Sequence, residues 1–237
     1  MAEPAGPSAW AKLRQVVIAT TSHADDVAAA RRAFGLGASF DDPELKTFGL
    51  ADATFPISAE RFLEFVGPAS EHGPLTPWLT TIGGRGGYVL SVQHPDPAGV
   101  RRRCTELGVR VPIETEAFGQ TVLQLHAKDV GLVLEIDGIA DRAAWFWDAI
   151  SPGPDASAGV DEIVGVDVPV ADPTAMTALW HEVLGLGEPT AADVVELDGA
   201  WVRFVPGGPS SAWVVVMHRS NDTAVDPGLP GISFRFV

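Results

Sequence analysis

Gly131-Leu-Val-Leu-Glu-Ile-Asp137 is the stretch that decides the fold of this 237-residue chain. Its leucine and isoleucine residues at positions 132, 134 and 136 alternate with positions that carry Glu135 and Asp137. Successive side chains of a β-strand point to opposite faces of the sheet. The alternation therefore predicts a strand with one apolar face and one face that bears carboxylates.

A second stretch of the same character lies earlier in the chain, as Arg61-Phe-Leu-Glu-Phe-Val66. It places Glu64 where the later stretch has Glu135. Two similar strands, each with one glutamate on its polar face, predict an internal repeat with a shared site. For either glutamate, the alternative is a carboxylate that pairs with an arginine or faces solvent.

The block that leads to Glu64 has a simple predicted order of elements. A strand at residues 13–19 is followed by a helix from about residue 24 to residue 34, which Ser22 is expected to cap. Short strands near residues 46–51 and 61–66 complete the block.

The block that leads to Glu135 repeats this order. A strand at residues 88–92 is followed by a helix at 97–107, whose start is marked by Asp96 and Pro97. Strands at residues 120–126 and 131–136 follow. Residues 67–87, which are rich in Gly, Pro and Thr, are predicted to be a linker between the two blocks.

A third block begins at residue 162, and the chain ends with a segment, 232–237, that resembles the first strand of a fourth. We predict a main domain at 12–137, a linker at 138–161, and a third unit with a terminal strand at 162–237. The predicted fold class is α+β, with repeated βαβββ units whose mixed sheets curve into a cup and whose helices lie outside. The predicted elements of the third block are a strand at 162–168, a helix at 173–184, and strands at 194–197, 200–205 and 213–217.

The composition restricts the partners that the chain can have. Its formal net charge is −15, which opposes binding to nucleic acid or to an anionic membrane and suits a cationic small molecule. No apolar run approaches the roughly 18 residues that span a bilayer, and the first residues do not resemble a secretory signal. We therefore expect a cytoplasmic protein. A single cysteine, Cys104, excludes an intramolecular disulfide.

Several segments of the chain resemble the vicinal oxygen chelate superfamily, which includes glyoxalase I, extradiol dioxygenases and bleomycin-binding proteins. The resemblance extends over most of residues 12–217. It specifies the fold better than the activity, because that fold hosts many chemistries. The segments that carry it are Gln15-Val-Val-Ile, Phe34-Gly-Leu-Gly, Phe62-Leu-Glu-Phe, Gly131-Leu-Val-Leu-Glu-Ile-Asp, Val166-Asp-Val-Pro-Val-Ala-Asp-Pro and Val183-Leu-Gly-Leu-Gly.

The resemblance implies a divalent metal in the cup, with ligands from the first and last strand of each unit. Carried onto this chain, it assigns Gln15, Glu64 and Glu135 as metal ligands. The third ligand position, where the family has histidine, falls on Tyr88, or on Gly87 with a slip of one residue. Oxygen ligands of this kind suit Mg, Mn or a weakly held Zn, and the absent imidazole weakens selectivity for Zn, Ni or Fe.

Two further groups of side chains are candidates for the site. Gln124 and His126 share a face of one predicted strand, so His126 is a candidate base or substitute ligand, and a hydrogen-bonded structural histidine is the alternative. Trp145-Phe146-Trp147 in the predicted linker forms either a binding surface or, as the favoured interpretation, a helix docked on the core or on a neighbouring subunit.

Two classes of function fit this sequence. The first is a glyoxalase-like, metal-dependent lyase, isomerase or dioxygenase that acts on a small oxygenated substrate, with Glu135 and His126 as catalytic groups and Tyr88 and Gln124 as ligand-binding groups. The second is a metal-free binding protein of the bleomycin-resistance type, which takes a drug or metabolite. The unpaired sheet edge of the third unit is expected to pair either with its counterpart in another chain, which would give a homodimer, or with the strand at 232–237.

Overall fold

The computed structural model describes residues 10–147 and 159–237, which form two mixed β-sheets and six helices. A curved seven-stranded sheet has the order β2-β3-β1-β4-β7-β6-β5. Its strands are β1 (Lys12–Thr20), β2 (Leu50–Pro56), β3 (Phe62–Pro68), β4 (Arg85–Gln93), β5 (Ile113–Ala117), β6 (Gln120–Leu125) and β7 (Val133–Asp137).

The second sheet has five strands in the order β12-β11-β8-β10-β9. They are β8 (Val160–Val170), β9 (Val194–Glu196), β10 (Trp201–Pro206), β11 (Val214–Arg219) and β12 (Ser233–Phe236). The helices are α1 (His23–Phe34), α2 (Pro43–Thr47), α3 (Thr76–Ile82), α4 (Pro97–Leu107), α5 (Ala127–Val130) and α6 (Pro173–Leu184).

Strand pairing in the seven-stranded sheet confirms the predicted repeat. In each unit the first strand runs parallel to the last one, β1 beside β3 and β4 beside β7. The two first strands pair antiparallel with each other in the middle of the sheet. The α+β class with βαβββ units and a curved, cup-like sheet is therefore confirmed.

One apolar core contains residues from both sheets and from α1, α4 and α6. Phe34 of α1 packs edge-on against Phe234 of β12, with ring centroids 4.9 Å apart. The indole nitrogen of Trp180 on α6 donates a hydrogen bond to the Val130 carbonyl, at 3.0 Å. These contacts tie residues 160–237 to the first two units through apolar burial, which is the main favourable term in folding.

The predicted helix signals match the observed ends of two helices closely. A carboxylate oxygen of Asp96 accepts a hydrogen bond from the Gly99 amide at the start of α4, and Asp172 does the same for the Ala175 amide at the start of α6. Gly108 ends α4 with a φ of 71°, a conformation that glycine adopts without steric cost. At α1, however, Ser22 makes no side-chain cap hydrogen bond.

The structure corrects two local predictions. Residues 76–82 form a helix within the predicted linker, and its Leu79 packs against the polar-face side of β1 and β4. The predicted strand at 46–51 is displaced, because α2 ends at Thr47 and β2 begins at Leu50. In both cases the sequence window was short, and long-range packing decided the outcome.

The start of the fourth unit also differs from the prediction. The strand that pairs antiparallel with β8, as β4 does with β1, is β11, and not the segment at 232–237. That terminal segment forms β12, which runs parallel to β11 and takes the place of a last strand. The fourth unit is thus reduced to its first and last strands within the described chain, and the division into domains at 138–161 stays a prediction.

Candidate ligand-binding cup

The concave face of the seven-stranded sheet contains a cavity of about 390 Å³. Polar side chains from five strands form its floor, α2 and the residues around it form one wall, and Phe146 and Trp147 close over it. The lining residues that carry the argument below are Gln15, Asp42, Glu44, Phe48, Glu64, Tyr88, Val89, Ser91, Ile113, Phe118, Gln124, Glu135, Asp137, Phe146 and Trp147.

Gln15 and Glu64 lie together on the floor of the cup, as the family resemblance implies. The Gln15 amide nitrogen donates a hydrogen bond to Glu64 Oε2, at 2.8 Å. The indole nitrogen of Trp147 donates to Gln15 Oε1, at 2.9 Å. Because an indole N–H can only donate, this contact fixes the amide so that its oxygen faces Trp147 and its nitrogen faces Glu64.

Glu135 occupies the corresponding place in the second unit, and both of its oxygens accept hydrogen bonds. The Ser91 hydroxyl donates to Oε1 and the Gln124 amide donates to Oε2, each at 2.7 Å. Gln124 therefore lies in the cup, as predicted. The sequence analysis missed Ser91, although the run Tyr88-Val-Leu-Ser-Val-Gln93 does place a serine between apolar neighbours on the polar face of β4.

Strand register places Val89, and not Tyr88, at the position that mirrors Gln15. In the first unit, Glu64 pairs with Val17 on β1, and Val17 in turn pairs with Val89 on β4. In the second unit, Glu135 pairs with Ser91 on β4, and Ser91 in turn pairs with Gln15 on β1. Val89 and Gln15 therefore hold equivalent positions. The pairing of β1 with β4 has a register shift next to Val89. The third ligand position therefore falls on Val89 by strand pairing, and not on Tyr88 or Gly87 as predicted from the sequence.

Tyr88 still lines the cavity, with its ring 5.2 Å from that of Trp78 on α3. Burial and the charge of Glu135 raise the pKa of the Tyr88 phenol. The phenol is therefore held in its neutral form, in which it is a hydrogen-bond donor and a poor metal ligand.

Three buried carboxyl groups give the cup an unusual electrostatic character. Burial is the first cause in each case: it raises the pKa of Asp52 to about 6, and it raises the pKa values of Glu64 and Asp137 well above the usual range. The charges of Asp52 and Glu135 raise the Glu64 value further, and Glu135 also acts on Asp137. Desolvation and like charge both disfavour the anion, so the cup favours a positive group that would relieve them.

The structure does not bring His126 into the cup. His126 lies at the start of α5, where its Nδ1 accepts a hydrogen bond from the Lys128 amide, at 3.1 Å. It is absent from the described lining of the cavity. β6 ends at Leu125, so the polar face that carries Gln124 does not continue to His126.

Residues 140–147, called the strap below, cross the rim of the cup without forming a helix. The buried Arg14 guanidinium donates hydrogen bonds to the carbonyls of Arg142 and Ala144, both at 3.1 Å. Trp145 is buried, whereas Phe146 and Trp147 line the cavity. Trp145 is thus docked on the core, as the favoured interpretation predicts, but residues 140–147 are not helical, and the role of Phe146 and Trp147 as a binding surface stays a prediction. The residues that follow, 148–158, lie outside the described residues.

Comparisons with solved structures place this architecture among known folds. A hypothetical protein from Staphylococcus aureus aligns over 96% of this chain and 98% of its own, with 13% identity and a TM-score of 0.62. Methylmalonyl-CoA epimerase from Mycobacterium tuberculosis covers 53% of this chain and 86% of its own at 18% identity and a TM-score of 0.46, and a variant of the Streptomyces coelicolor epimerase covers 56% and 98% at 20% and 0.48. No family model and no curated protein matches the chain.

The chain shares its fold, with paired βαβββ units in a curved sheet, with solved structures. The resemblance seen in the sequence is thereby confirmed for the fold. All three likenesses lie below 25% identity, so the activity of the epimerases is a property of those proteins.

The residues present do not fit the metal that the vicinal oxygen chelate resemblance implies. Val89 has no donor atom at the third ligand position, Gln15 turns its oxygen to Trp147, and both Glu135 oxygens accept from neutral donors. Within residues 10–147 and 159–237, no three His, Cys, Asp or Glu side chains are grouped closely enough to hold a metal ion. Gln15, Glu64 and Glu135 are instead held by hydrogen bonds to each other or to Trp147, Ser91 and Gln124.

None of the described helices is long and apolar enough to cross a membrane.

Proposed function

We propose that this chain is a metal-free binding protein that takes a cationic small molecule with an aromatic or apolar body into the cup. The observation that carries the proposal is the chemistry of the lining. Five lining residues bear carboxyl groups, and the described lining contains no Lys, Arg or His. A concave, acidic surface of low dielectric concentrates positive ligands and repels negative ones. The five are Asp42, Glu44, Glu64, Glu135 and Asp137.

Exposed apolar side chains at the mouth of the cup support the same proposal. Phe48 is 67% exposed, Ile113 45% and Phe118 62%, and all three line the cavity. Exposed apolar groups that gather at one concave site are typical of a binding surface. The volume of about 390 Å³ lies within the range of about 300–1,000 Å³ that is usual for small-molecule sites.

The charge of the ligand can be tested with three probes that share one ring system. Isothermal titration of the purified chain, with EDTA present, would use 1-naphthylmethylamine as the cation, 1-naphthalenemethanol as the neutral form and 1-naphthoate as the anion. We expect the order of affinity to be cation, neutral, anion, with at least tenfold between the first and the last. Binding of the anion equal to or tighter than the cation would contradict the proposal, as would the absence of binding by all three.

A metal-dependent enzyme is the second candidate, and one observation favours it. Of the ligands that the resemblance implies, Gln15 and Glu64 are hydrogen-bonded to each other, and Glu135 is near enough for its charge to act on Glu64. For this candidate, metal content of protein purified without chelators would be near stoichiometric in the wild type and lost in E135A. No bound metal, together with no thermal shift on addition of Mn²⁺, Ni²⁺, Zn²⁺ or Fe²⁺, would rule it out.

A further inference from the structure

Asp137 is a buried carboxyl group on the floor of the cup, and its hydrogen bonding differs from that of Glu64 and Glu135. It is the last residue of β7, is 1% exposed and lines the cavity. Its Oδ2 atom is buried without a hydrogen-bond partner. Glu64 and Glu135, by contrast, accept hydrogen bonds from Gln15, Ser91 and Gln124.

The surroundings of Asp137 within the sheet supply no charge to balance it. Its strand neighbours are Gln93 on β4 and Val122 on β6. The Gln93 side-chain amide is occupied elsewhere, since it accepts from Arg14 and donates to the carbonyls of Ile139 and Asp141. A buried acceptor without a donor costs roughly 1–3 kcal/mol, so it marks a place where a ligand can supply the missing donor.

A strained aromatic residue lies at the same end of the sheet. Phe118 occupies the turn between β5 and β6 with a φ of 51°, a left-handed conformation that a non-glycine residue adopts at a steric cost. Its ring lies 5.6 Å from that of Phe146 and 5.7 Å from that of Trp147. The turn thus holds an exposed ring against the strap, over the cavity.

The chain leads directly from Asp137 into the strap, which links the carboxyl group to these rings. The Gly138 amide donates to the Thr121 carbonyl on β6, at 2.8 Å, so the chain turns along the hairpin that carries Phe118. Arg14 then holds the strap through the carbonyls of Arg142 and Ala144. The strap ends with Phe146 and Trp147 over the cup.

We infer that Asp137 and the rings of Phe118, Phe146 and Trp147 form a subsite for an N–H-bearing ammonium group of the ligand, a primary or secondary amine in its protonated form. The N–H donates to the Asp137 carboxylate, and the aromatic rings contact the cation and the carbon atoms next to it. A quaternary ammonium lacks the N–H and leaves Oδ2 without a donor. The subsite therefore selects amines over their trimethylated forms, and this inference rests on the proposed function.

The experiment compares the wild type, D137N and the matched control E116Q. Glu116 lies on β5 and is exposed, so E116Q removes one negative charge outside the cup. Isothermal titration would use 1-naphthylmethylamine, its N,N,N-trimethyl derivative and 1-naphthalenemethanol. We expect the wild type to bind the amine at least tenfold more tightly than either other probe. D137N should weaken the amine at least tenfold and change the alcohol less than twofold, and E116Q should change neither by more than twofold.

Each other outcome has a distinct meaning. If the amine binds the wild type but D137N or trimethylation leaves its affinity unchanged, the subsite is wrong and the cationic cup stands. If no probe binds the wild type, the proposed function itself fails. Thermal unfolding of D137N serves as the folding control: a midpoint that equals or exceeds that of the wild type shows that the fold is retained.

Discussion

Replacement of Asp52 by asparagine measures how much the ionisation of this one buried carboxyl group lowers the free energy of unfolding. Asp52 is 4% exposed on β2, and its Oδ2 accepts a hydrogen bond from the Asp42 amide, at 2.7 Å, while Oδ1 has no partner. The side-chain oxygen of the introduced asparagine would keep the bond to that amide. D52N therefore removes the charge, and with it one cause of the raised Glu64 pKa, while the fold at β2 is retained.

The size of the effect follows from the Asp52 pKa, which burial raises from 3.8 to about 6. At about 1.36 kcal/mol for each pH unit, full ionisation costs the folded state roughly 3 kcal/mol as an upper value. Since the folded state keeps its proton to a higher pH than the unfolded chain, the free energy of unfolding falls as pH rises from about 4 to 6. D52N has no ionisable group at this position, so its free energy of unfolding does not fall for this reason.

Urea unfolding of both proteins from pH 4 to pH 8 measures the difference directly. We expect D52N and the wild type to be nearly equal at pH 4, and D52N to be more stable by up to about 3 kcal/mol above pH 7. D129N is the control of opposite sign, because Arg110 holds the pKa of Asp129 down to about 2 and the loss of that pair destabilises the fold above pH 4. A D52N difference that does not change with pH, or that is destabilising at pH 7, would refute the reasoning.

The remaining predictions address the floor and the rim of the cup. V89H supplies the missing donor at the third ligand position. In the absence of chelator, Ni²⁺ or Zn²⁺ should therefore raise the thermal midpoint of V89H and leave that of the wild type unchanged. An equal shift in both proteins would contradict the placement of Val89 at that position. W147F removes the donor to Gln15 Oε1, and urea unfolding should show a loss of about 1–3 kcal/mol, whereas a neutral result would mean that the bond contributes nothing. F118G relieves the left-handed backbone and should gain about 1 kcal/mol of stability while 1-naphthylmethylamine binds at least threefold more weakly, as titration would show. Light scattering tests the predicted homodimer, and a monomer at micromolar concentration would contradict it.

We expect D137N and F118G to lower the affinity for the amine without lowering the stability of the fold. Such opposed effects on affinity and stability are typical of residues in binding sites. Residues kept in costly environments, such as a buried acceptor without a donor or a strained turn, persist where the ligand compensates for the cost. A substitution that raises stability while it lowers affinity would place Asp137 and Phe118 in this category. A purely structural role would lower both quantities together.

The sequence by itself determined the repeat and most of the regular elements. Alternation in residues 131–137 and 61–66 identified two last strands, since the period of two is a local property of the chain. Asp96 and Asp172 marked the starts of α4 and α6, because a cap is formed within a few residues. The repeat also predicted a shared site for Glu64 and Glu135, and the family resemblance implied that Gln15 lies with them in one cup.

Only the tertiary structure decided which partners the side chains on the floor of the cup have. The register shift beside Val89 removed the expected third ligand position from Tyr88, and it depends on how two strands pair. The Trp147 contact with Gln15 joins residues 132 positions apart, and no local pattern predicts it. The missing donor at Asp137 likewise depends on neighbours from two other strands, β4 and β6. Strand alternation and helix caps depend on residues that are close in sequence, whereas hydrogen-bond partners and burial depend on segments that meet only after folding.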